Sequence, residues 1–351
     1  MIRLEWEAQE LATRHAFNIA RMKAPQTRRT ARVRLVDEDG VEGWGEAPVS
    51  TPYYGETAET VLAVGPRLEA AVREAWSRRP EGTALPPIDA AEAAMEQAIG
   101  GNRCAKVAVS AALHDLLGKR TGAPVWAMWG VDPARAPRSS FTIGLDEPEV
   151  MRERVREASG YPILKIKIGT KRDEEILRLI REEAPDVSLK VDANTGWTVK
   201  QALANLPMLE EYRVELLEQP LQPDDLDGFA LLRSRSRIPV YADESCRTLA
   251  DVAQLVGRVD GINIKLAKCG SLAEARRMVA AARAHGMGVM LGCMLETSLG
   301  IAAGVQLAPL MDHVDLDGAA LLADDPFAGP GMEPDGSLRF NAEPGLGVTA
   351  R

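Results

Sequence analysis

Residues 161–169 read YPILKIKIG. The isoleucines Ile163, Ile166 and Ile168 and the stop at Gly169 give the look of a buried strand, yet Lys165 and Lys167 stand inside it. Side chains alternate across a strand with period two, so both ammonium groups point to one face. Two like charges roughly 7 Å apart repel each other, and burying them is costly. An apolar pair would suit a plain core strand better, so these lysines ask for a chemical reason.

The stretch is one of a series. β-rich runs recur at SFTIG (140–144), ILKIKIG (163–169), VSLKVDA (187–193), VELLEQP (214–220), IPVYADE (238–244), GINIKLA (261–267), GVMLGC (288–293) and HVDLDG (313–318). They start roughly 22 to 28 residues apart, with helical stretches such as KRDEEILRLIREEAP between them. Eight strand–helix units at that spacing predict a parallel (β/α)8-type barrel of the α/β class. Turn-rich sequence follows the last strand in place of a helix, which makes the barrel a modified (β/α)7β form. A doubly wound open sheet is the competing fold, but no Gly-rich dinucleotide fingerprint follows any strand.

Before the barrel, RRTARVRLVDEDGVEGWGEA reads as two strands joined by an Asp39–Gly40 turn. Ala-rich helical stretches follow it. The expected organisation is an α+β capping domain over 1–123, the barrel over 124–322, and a segment over 323–351 that returns to the cap. Net charge −9 and a pI near 5.2 argue against nucleic acid as the main partner. The four cysteines, Cys104, Cys246, Cys269 and Cys293, lack zinc or disulfide spacing. Charges begin at the third residue and no apolar run approaches about 18 residues, so neither a leader nor a membrane span is expected and a reducing, cytoplasmic location is the default. A homo-oligomer is left open.

In a β/α barrel the active site lies at the C-terminal ends of the strands. Asp192 ends the third run, Glu218 the fourth and Asp243 the fifth. Any one alone reads equally well as a carboxylate capping the next helix. Three in register would crowd like charges and raise their pKa values unless a cation separates them. Oxygen-only ligation with positions left for substrate points to Mg²⁺. Lys165 and Lys167 lie on the second run and Lys265 on the sixth, four apart in a ring of eight and hence diametrically opposite. Salt bridges to the three carboxylates and acid–base work are compatible roles for them.

That geometry suits moving a proton off one face of a carbon and onto the other. A substrate carboxylate would chelate the metal, which would stabilise the enediolate formed when the α-proton leaves. A lysine kept neutral at pH 7 costs about 4.6 kcal/mol, from about 1.36 per pKa unit. Lys165 is expected to lower the pKa of Lys167 and to hold the substrate carboxylate. On the last run, Asp315 and Asp317 share a face and suit an ammonium group.

These residues resemble the enolase superfamily, and within it the muconate-lactonizing branch. The resemblance covers nearly the whole chain through GWGEA, KIKIG, VDANTGW, EQP, ADES and INIKLAKCGS. The DLDG stretch is similar to that of dipeptide epimerases, in which the D-x-D pair binds the substrate's free ammonium. The resemblance implies Lys167 and Lys265 as acid–base residues, Asp192, Glu218 and Asp243 as Mg²⁺ ligands, and Lys165 at the substrate carboxylate. It implies Thr142 and the 292–297 loop, with Met294 and Glu296, as pocket lining. The implied activity is epimerisation of dipeptides by 1,1-proton transfer at the α-carbon of the C-terminal residue. N-acylamino acid racemases and cycloisomerase or o-succinylbenzoate synthase-type lyases share the scaffold, but their substrates carry no ammonium for Asp315 and Asp317. A non-catalytic binding protein would not need the full set of lysines and carboxylates.

One departure concerns a loop near residue 20, which in Ala-Glu epimerases supplies an arginine for the acidic side chain. Here Arg21 does not align cleanly, and Met22 or Lys23 is placed to face the substrate. Tyr53 and Tyr54 fall where a second capping loop closes. His114, His285, His313 and Cys293 are read as structural.

Overall fold

The computed structural model describes every residue except Met1, Arg21, Ala24, Pro25, Glu81, Ala84 and the side chain of Pro52. Arg21, weighed above as a substrate contact, therefore lies outside the described residues. Three antiparallel strands open the chain: β1 (Arg3–Ala12), β2 (Thr27–Val36) and β3 (Glu42–Ala47), in the order β1-β2-β3. The Asp-Gly turn joins β2 to β3, with Gly40 at φ 81°. The strand β1 was not anticipated, although Leu4, Trp6 and Ala8 alternate with Glu5, Glu7 and Gln9 along it.

One face of this sheet buries Leu4, Ala31, Val33, Leu35 and Ala47 under helices Ala58–Ser77 and Arg103–Thr121. GWGEA sets how closely they approach. A Cβ at Gly43 or Gly45 would sit 2.0 Å from the carbonyl oxygens of Ala112 and Ala108, so only glycine lets the helix lie on β3. The Ala-rich stretch after residue 88 is two helices, Ile88–Ala98 and Arg103–Thr121, because Gly100 and Gly101 interrupt it.

Eight parallel strands follow: β4 (Phe141–Ile143), β5 (Ile163–Lys167), β6 (Ser188–Asp192), β7 (Val214–Glu218), β8 (Val240–Ala242), β9 (Gly261–Lys265), β10 (Gly288–Gly292) and β11 (His313–Asp315). They pair in sequence order. The ring is brought together where Ser140 N–H donates to Val314 O at 3.1 Å. Helices lie between successive strands, the last being Ser298–Val305, and none follows β11 before the chain ends in short strand pairs. This is the (β/α)7β barrel with an N-terminal α+β cap.

Alternation divides each barrel strand. Leu164, Ile166, Leu189, Val191, Leu217, Val240, Ile262, Ile264, Val289, Leu291 and Val314 are buried in the main core shared with the helices. The other parity carries Lys165, Lys167, Lys190, Asp192, Glu218, Asn263, Lys265 and Asp315. Leu216, Tyr241 and Met290, also of this parity, form a separate small apolar cluster. The final segment runs back to the cap: Ala323 N–H donates to Ala12 O at 2.8 Å, and Leu346 N–H to Asp115 Oδ1 at 2.8 Å.

Candidate active site

Strand register places the charged residues at one height. Lys167 lies opposite Asp192, and Asp192 opposite Glu218. Across the ring, Lys265, Gly292 and Asp315 form a row. Asp243 directly follows β8. One carboxylate oxygen from each of Asp192, Glu218 and Asp243 lies within 4.8 Å of the others, and all three residues are buried.

Each carboxylate is aimed by its neighbours. Asp192 Oδ1 accepts from Asn194 N–H (2.9 Å) and Oδ2 from Lys167 Nζ (2.7 Å). Glu218 Oε1 accepts from Asn263 Nδ2 at 2.8 Å. Asp243 Oδ2 accepts from Lys265 Nζ (2.8 Å) and Oδ1 from Lys268 Nζ (2.6 Å). The turns beyond these strand ends hold unusual backbone: Asn194, Thr195 and Gln219 have φ of 42°, 66° and 36°. Left-handed backbone is strained for a β-branched residue such as Thr195. Cross-bonds hold it: Thr195 N–H donates to Gln219 O (2.8 Å), and Asp243 N–H to Gln219 Oε1 (2.8 Å).

The opening lysines have found partners. Lys165 Nζ lies 2.7 Å from Glu218 Oε2, 2.8 Å from Asp315 Oδ2 and 3.4 Å from Asp192 Oδ2. The approach to Glu218 Oε2 is an ion pair without hydrogen-bond direction, so that buried oxygen has no hydrogen-bond partner among the described residues. Burial alone would pull the Lys165 pKa down, but Asp315, Glu218 and Asp192 carry it well above the usual lysine value. For Lys265 burial is likewise outweighed, chiefly by Asp243, and its pKa is also raised. Both effects of a buried lysine beside carboxylates are therefore present, and the ion-pair role foreseen for these residues is realised in the geometry. Opposite Lys165 in the register, Lys190 is buried, its Nζ without a hydrogen-bond partner among the described residues and its pKa drawn down to about 8 by burial.

The carboxylate trio fits a hard divalent cation. Its three oxygens converge, and an orphaned oxygen, Glu218 Oε2, sits among them. The donor set is all oxygen, as Mg²⁺ prefers.

The cavity above the trio is lined by Lys165, Lys167 and Lys265 on the barrel side, with Thr142, Cys293, Met294, Asp315 and Asp317. The capping chain contributes Phe17, Ile19, Met22, Arg28 and Tyr53. Asp315 and Asp317 differ in environment. Asp315 is tied to Lys165 Nζ, Ser140 Oγ (2.8 Å) and Thr142 Oγ1 (3.3 Å). Burial opposes its ionisation, but Lys165 holds its pKa near about 2. Asp317 accepts from Thr142 N–H at 2.6 Å, and burial together with Asp315 raises its pKa to about 7. Thr142 thus lines the cavity and also orients the aspartate pair.

Glu296, expected to line the pocket with Met294, turns away from it. Its Oε1 accepts from Met294 N–H at 2.8 Å, and burial and Glu46 raise its pKa to about 8. Of the residues discussed near position 20, Met22 reaches the cavity and Lys23 is exposed. Tyr53 lines the cavity, and Tyr54 OH donates to Met294 Sδ at 3.7 Å. His114 is a buried core residue with Nδ1 at Ser110 O and a ring edge on Trp129, His285 ends a helix, and His313 lies against the Tyr241 ring.

Sequence reasoning missed Lys268, Asn263, Gln219 and Arg28. Lys268 sits on the helical turn Leu266–Cys269, so strand parity could not reveal that it points back at Asp243. Arg28 sits in an unremarkable basic run, yet lines the cavity with its Nε buried and without a hydrogen-bond partner among the described residues.

This combination of cap, barrel and inward charge places the protein among the enzymes of the enolase superfamily. Residues 6–130 match the family model of the mandelate racemase / muconate lactonizing enzyme N-terminal domain, and residues 150–351 match that of the enolase C-terminal domain-like fold. The chain belongs to the mandelate racemase/muconate lactonizing enzyme family. It is 39% identical to the L-Ala-D/L-Glu epimerase of Bacteroides thetaiotaomicron, over 97% of this chain and 85% of that protein. It is 38% identical to an L-Ala-D/L-amino acid epimerase of a Maribacter species, over 97% and 96% of the two chains. The dipeptide epimerase of Cytophaga hutchinsonii, solved with Mg and D-Ala-L-Val, superposes with a TM-score of 0.91 at 28% identity, covering 99% of this chain and 95% of that one.

Proposed function

We propose that this protein epimerises dipeptides by 1,1-proton transfer at the α-carbon of the C-terminal residue. The observation that carries the reading is the placement of Lys167 on β5 and Lys265 on β9, four strands apart in the ring, on either side of the carboxylate trio. One lysine removes the α-proton from its face and the other delivers a proton to the opposite face, so the configuration inverts. Asp192, Glu218 and Asp243 would hold Mg²⁺. When bound, the ion adds positive charge that stabilises the developing negative charge of the substrate carboxylate and lowers the proton affinity of the lysines beside it. Lys165 faces the same carboxylate.

Asp317 receives the substrate's N-terminal ammonium, while Asp315, already paired with Lys165, holds that lysine in place. Epimerase relatives and the dipeptide-bound neighbour support this assignment. The second side chain enters among Phe17, Ile19, Met22 and Arg28. Arg28, whose pKa is lowered by burial, offers a charge-assisted partner to an acidic side chain. The relative named for L-Ala-D/L-Glu supports that preference.

Incubation with dipeptides and Mg²⁺ in D₂O, followed by NMR, tests the reading. Loss of the α-proton signal of the second residue with appearance of the epimer is expected. Preference for an N-acetylated amino acid over the free dipeptide would transfer the assignment to the racemase reading.

A further inference from the structure

Glu46 comes from the capping strand β3, yet its carboxylate ends in the barrel. It is 3% exposed. It accepts from Thr297 N–H (3.0 Å), Gly300 N–H (3.2 Å), Gln9 Nε2 (3.3 Å) and the Thr297 hydroxyl. Thr297 is the N-cap of helix Ser298–Val305, and its hydroxyl oxygen accepts from Leu299 N–H. The first turn of a helix presents unpaired N–H groups and a partial positive charge. Here the capping sheet supplies the carboxyl oxygen that accepts from Thr297 and Gly300 N–H, across the boundary between cap and barrel.

The same turn is joined to the cavity wall. Met294 and Leu295 line the cavity, and Glu296 then folds back to accept from Met294 N–H. Glu296 and Glu46 meet over Gly300, where a Cβ would lie 2.5 Å from Glu296 Oε2 and 3.1 Å from Glu46 Oε2. On the other side, Tyr54 of the capping helix Thr51–Tyr54 donates to Met294 Sδ. An apolar residue at position 46 would fill the space but leave four donors unsatisfied, so the choice of a buried carboxylate is specific to this turn.

We propose that Glu46 is a positioning residue that fixes the Met294–Leu295 wall of the cavity relative to the cap, and so helps set which second side chain the site accepts. The choice of dipeptides as probes rests on the function proposed above; the placement of the wall does not.

Two variants test it. Glu46→Gln keeps the shape but turns one acceptor oxygen into a donor NH2, and Thr297→Val removes one donor while leaving both Glu46 oxygens. Amide hydrogen exchange on the full-length protein, without substrate, is expected to show protection at Thr297 and Gly300 falling about tenfold or more in Glu46→Gln, with Ile264 in β9 unchanged. Thr297→Val should change the same amides less, and it carries the test if Glu46→Gln does not fold. In steady-state assays with Ala-Glu and Ala-Leu, KM should rise about tenfold with kcat changed less than about threefold, and the preference between the two should narrow. Unchanged protection at Thr297 and Gly300 overturns the proposal. Lost protection with an unaltered KM and preference also overturns it, because the contact is then structural only. A wild-type protein inactive on every dipeptide removes the proposed function instead, and leaves the exchange result to decide the placement of the wall.

Discussion

Lys165 and Lys167 differ by two positions in sequence but sit in different company. Lys165 is held by three carboxylates, whereas among the described residues Lys167 pairs with Asp192 alone. On the proposed function, Lys167 and Lys265 do the acid–base work. Removing either should stop epimerisation, with turnover falling by about 10²–10⁴-fold or more. Lys167→Ala leaves Lys265 able to exchange the α-proton of one stereoisomer, and Lys265→Ala leaves Lys167 able to exchange the other. In D₂O with excess enzyme the two variants should therefore deuterate opposite stereoisomers without inverting them. Near wild-type epimerisation by Lys265→Ala would refute the two-sided arrangement. Asp317 gives a second test at this scale. Its pKa near 7 means that it is ionised only above that pH, while a dipeptide α-amino group loses its proton near about 8. KM for a free dipeptide should fall as pH rises through about 7 and rise again above about 8. Asp317→Asn should erase the acidic limb and weaken free dipeptides far more than N-acetylated ones, which a pH series of initial rates would show.

At the level of the strand, period-two alternation made much of the site legible. It marked which residues of KIK, KVD and INIK face the same way, and the recurrence of such strands gave the barrel. What alternation could not show is what lies off the strand. Lys268 reaches Asp243 from a helical turn, Arg28 enters from the capping sheet, and Glu296 folds away from a cavity that Met294 lines. The charges of β1 alternate with Leu4, Trp6 and Ala8, but they stand at a terminus, where alternation alone is a weak signal for a strand. The three carboxylates stand at consecutive strand ends, held by the left-handed turns at Asn194–Thr195 and Gln219. Chelation with EDTA should abolish activity and Mg²⁺ should restore it. Glu218→Gln removes one charged ligand and should raise the Mg²⁺ concentration needed for half-activity, with a circular-dichroism spectrum like that of wild type. Full activity after exhaustive removal of divalent ions would sink the metal assignment.

Taken over the whole molecule, buried titratable groups set a stability window. Glu296 has a folded pKa of about 8 against an ordinary 4.5, so the folded chain keeps a proton that the unfolded chain releases. Its contribution is full at low pH and is lost as pH rises through about 8. Glu46 and Asp317, both raised to about 7 by burial, act in the same direction. His114 and His313, drawn down to about 4 by burial, act in the opposite one, and their contribution is lost as pH falls from 6.5 through 4. With three raised carboxylates against two lowered imidazoles, these five groups together should make thermal stability fall as pH rises from about 5 to about 8. Glu296→Gln, which keeps an acceptor for Met294 N–H and adds a donor beside Glu46, should flatten that decline between about pH 5 and 8 and raise Tm at pH 8.5 by a few degrees. A calorimetric series showing equal alkaline slopes in the variant and wild type would count against the buried carboxylate pair.

The division of each barrel strand into two parities also bears on how such a protein changes over generations. Residues that face the helices answer to packing, and residues that face the mouth answer to the ligand, so the two sets are free to drift under separate pressures. On the proposed function, exchange of Asp317 or Arg28 would redirect the enzyme toward a differently charged molecule with little disturbance to Ile166, Ile262 or Val314. Lys165 and Asp315 are exceptions, because their ion pair joins opposite concerns in one contact. A lineage seeking new substrates has room at the rim and in the cap, and little freedom at that pair.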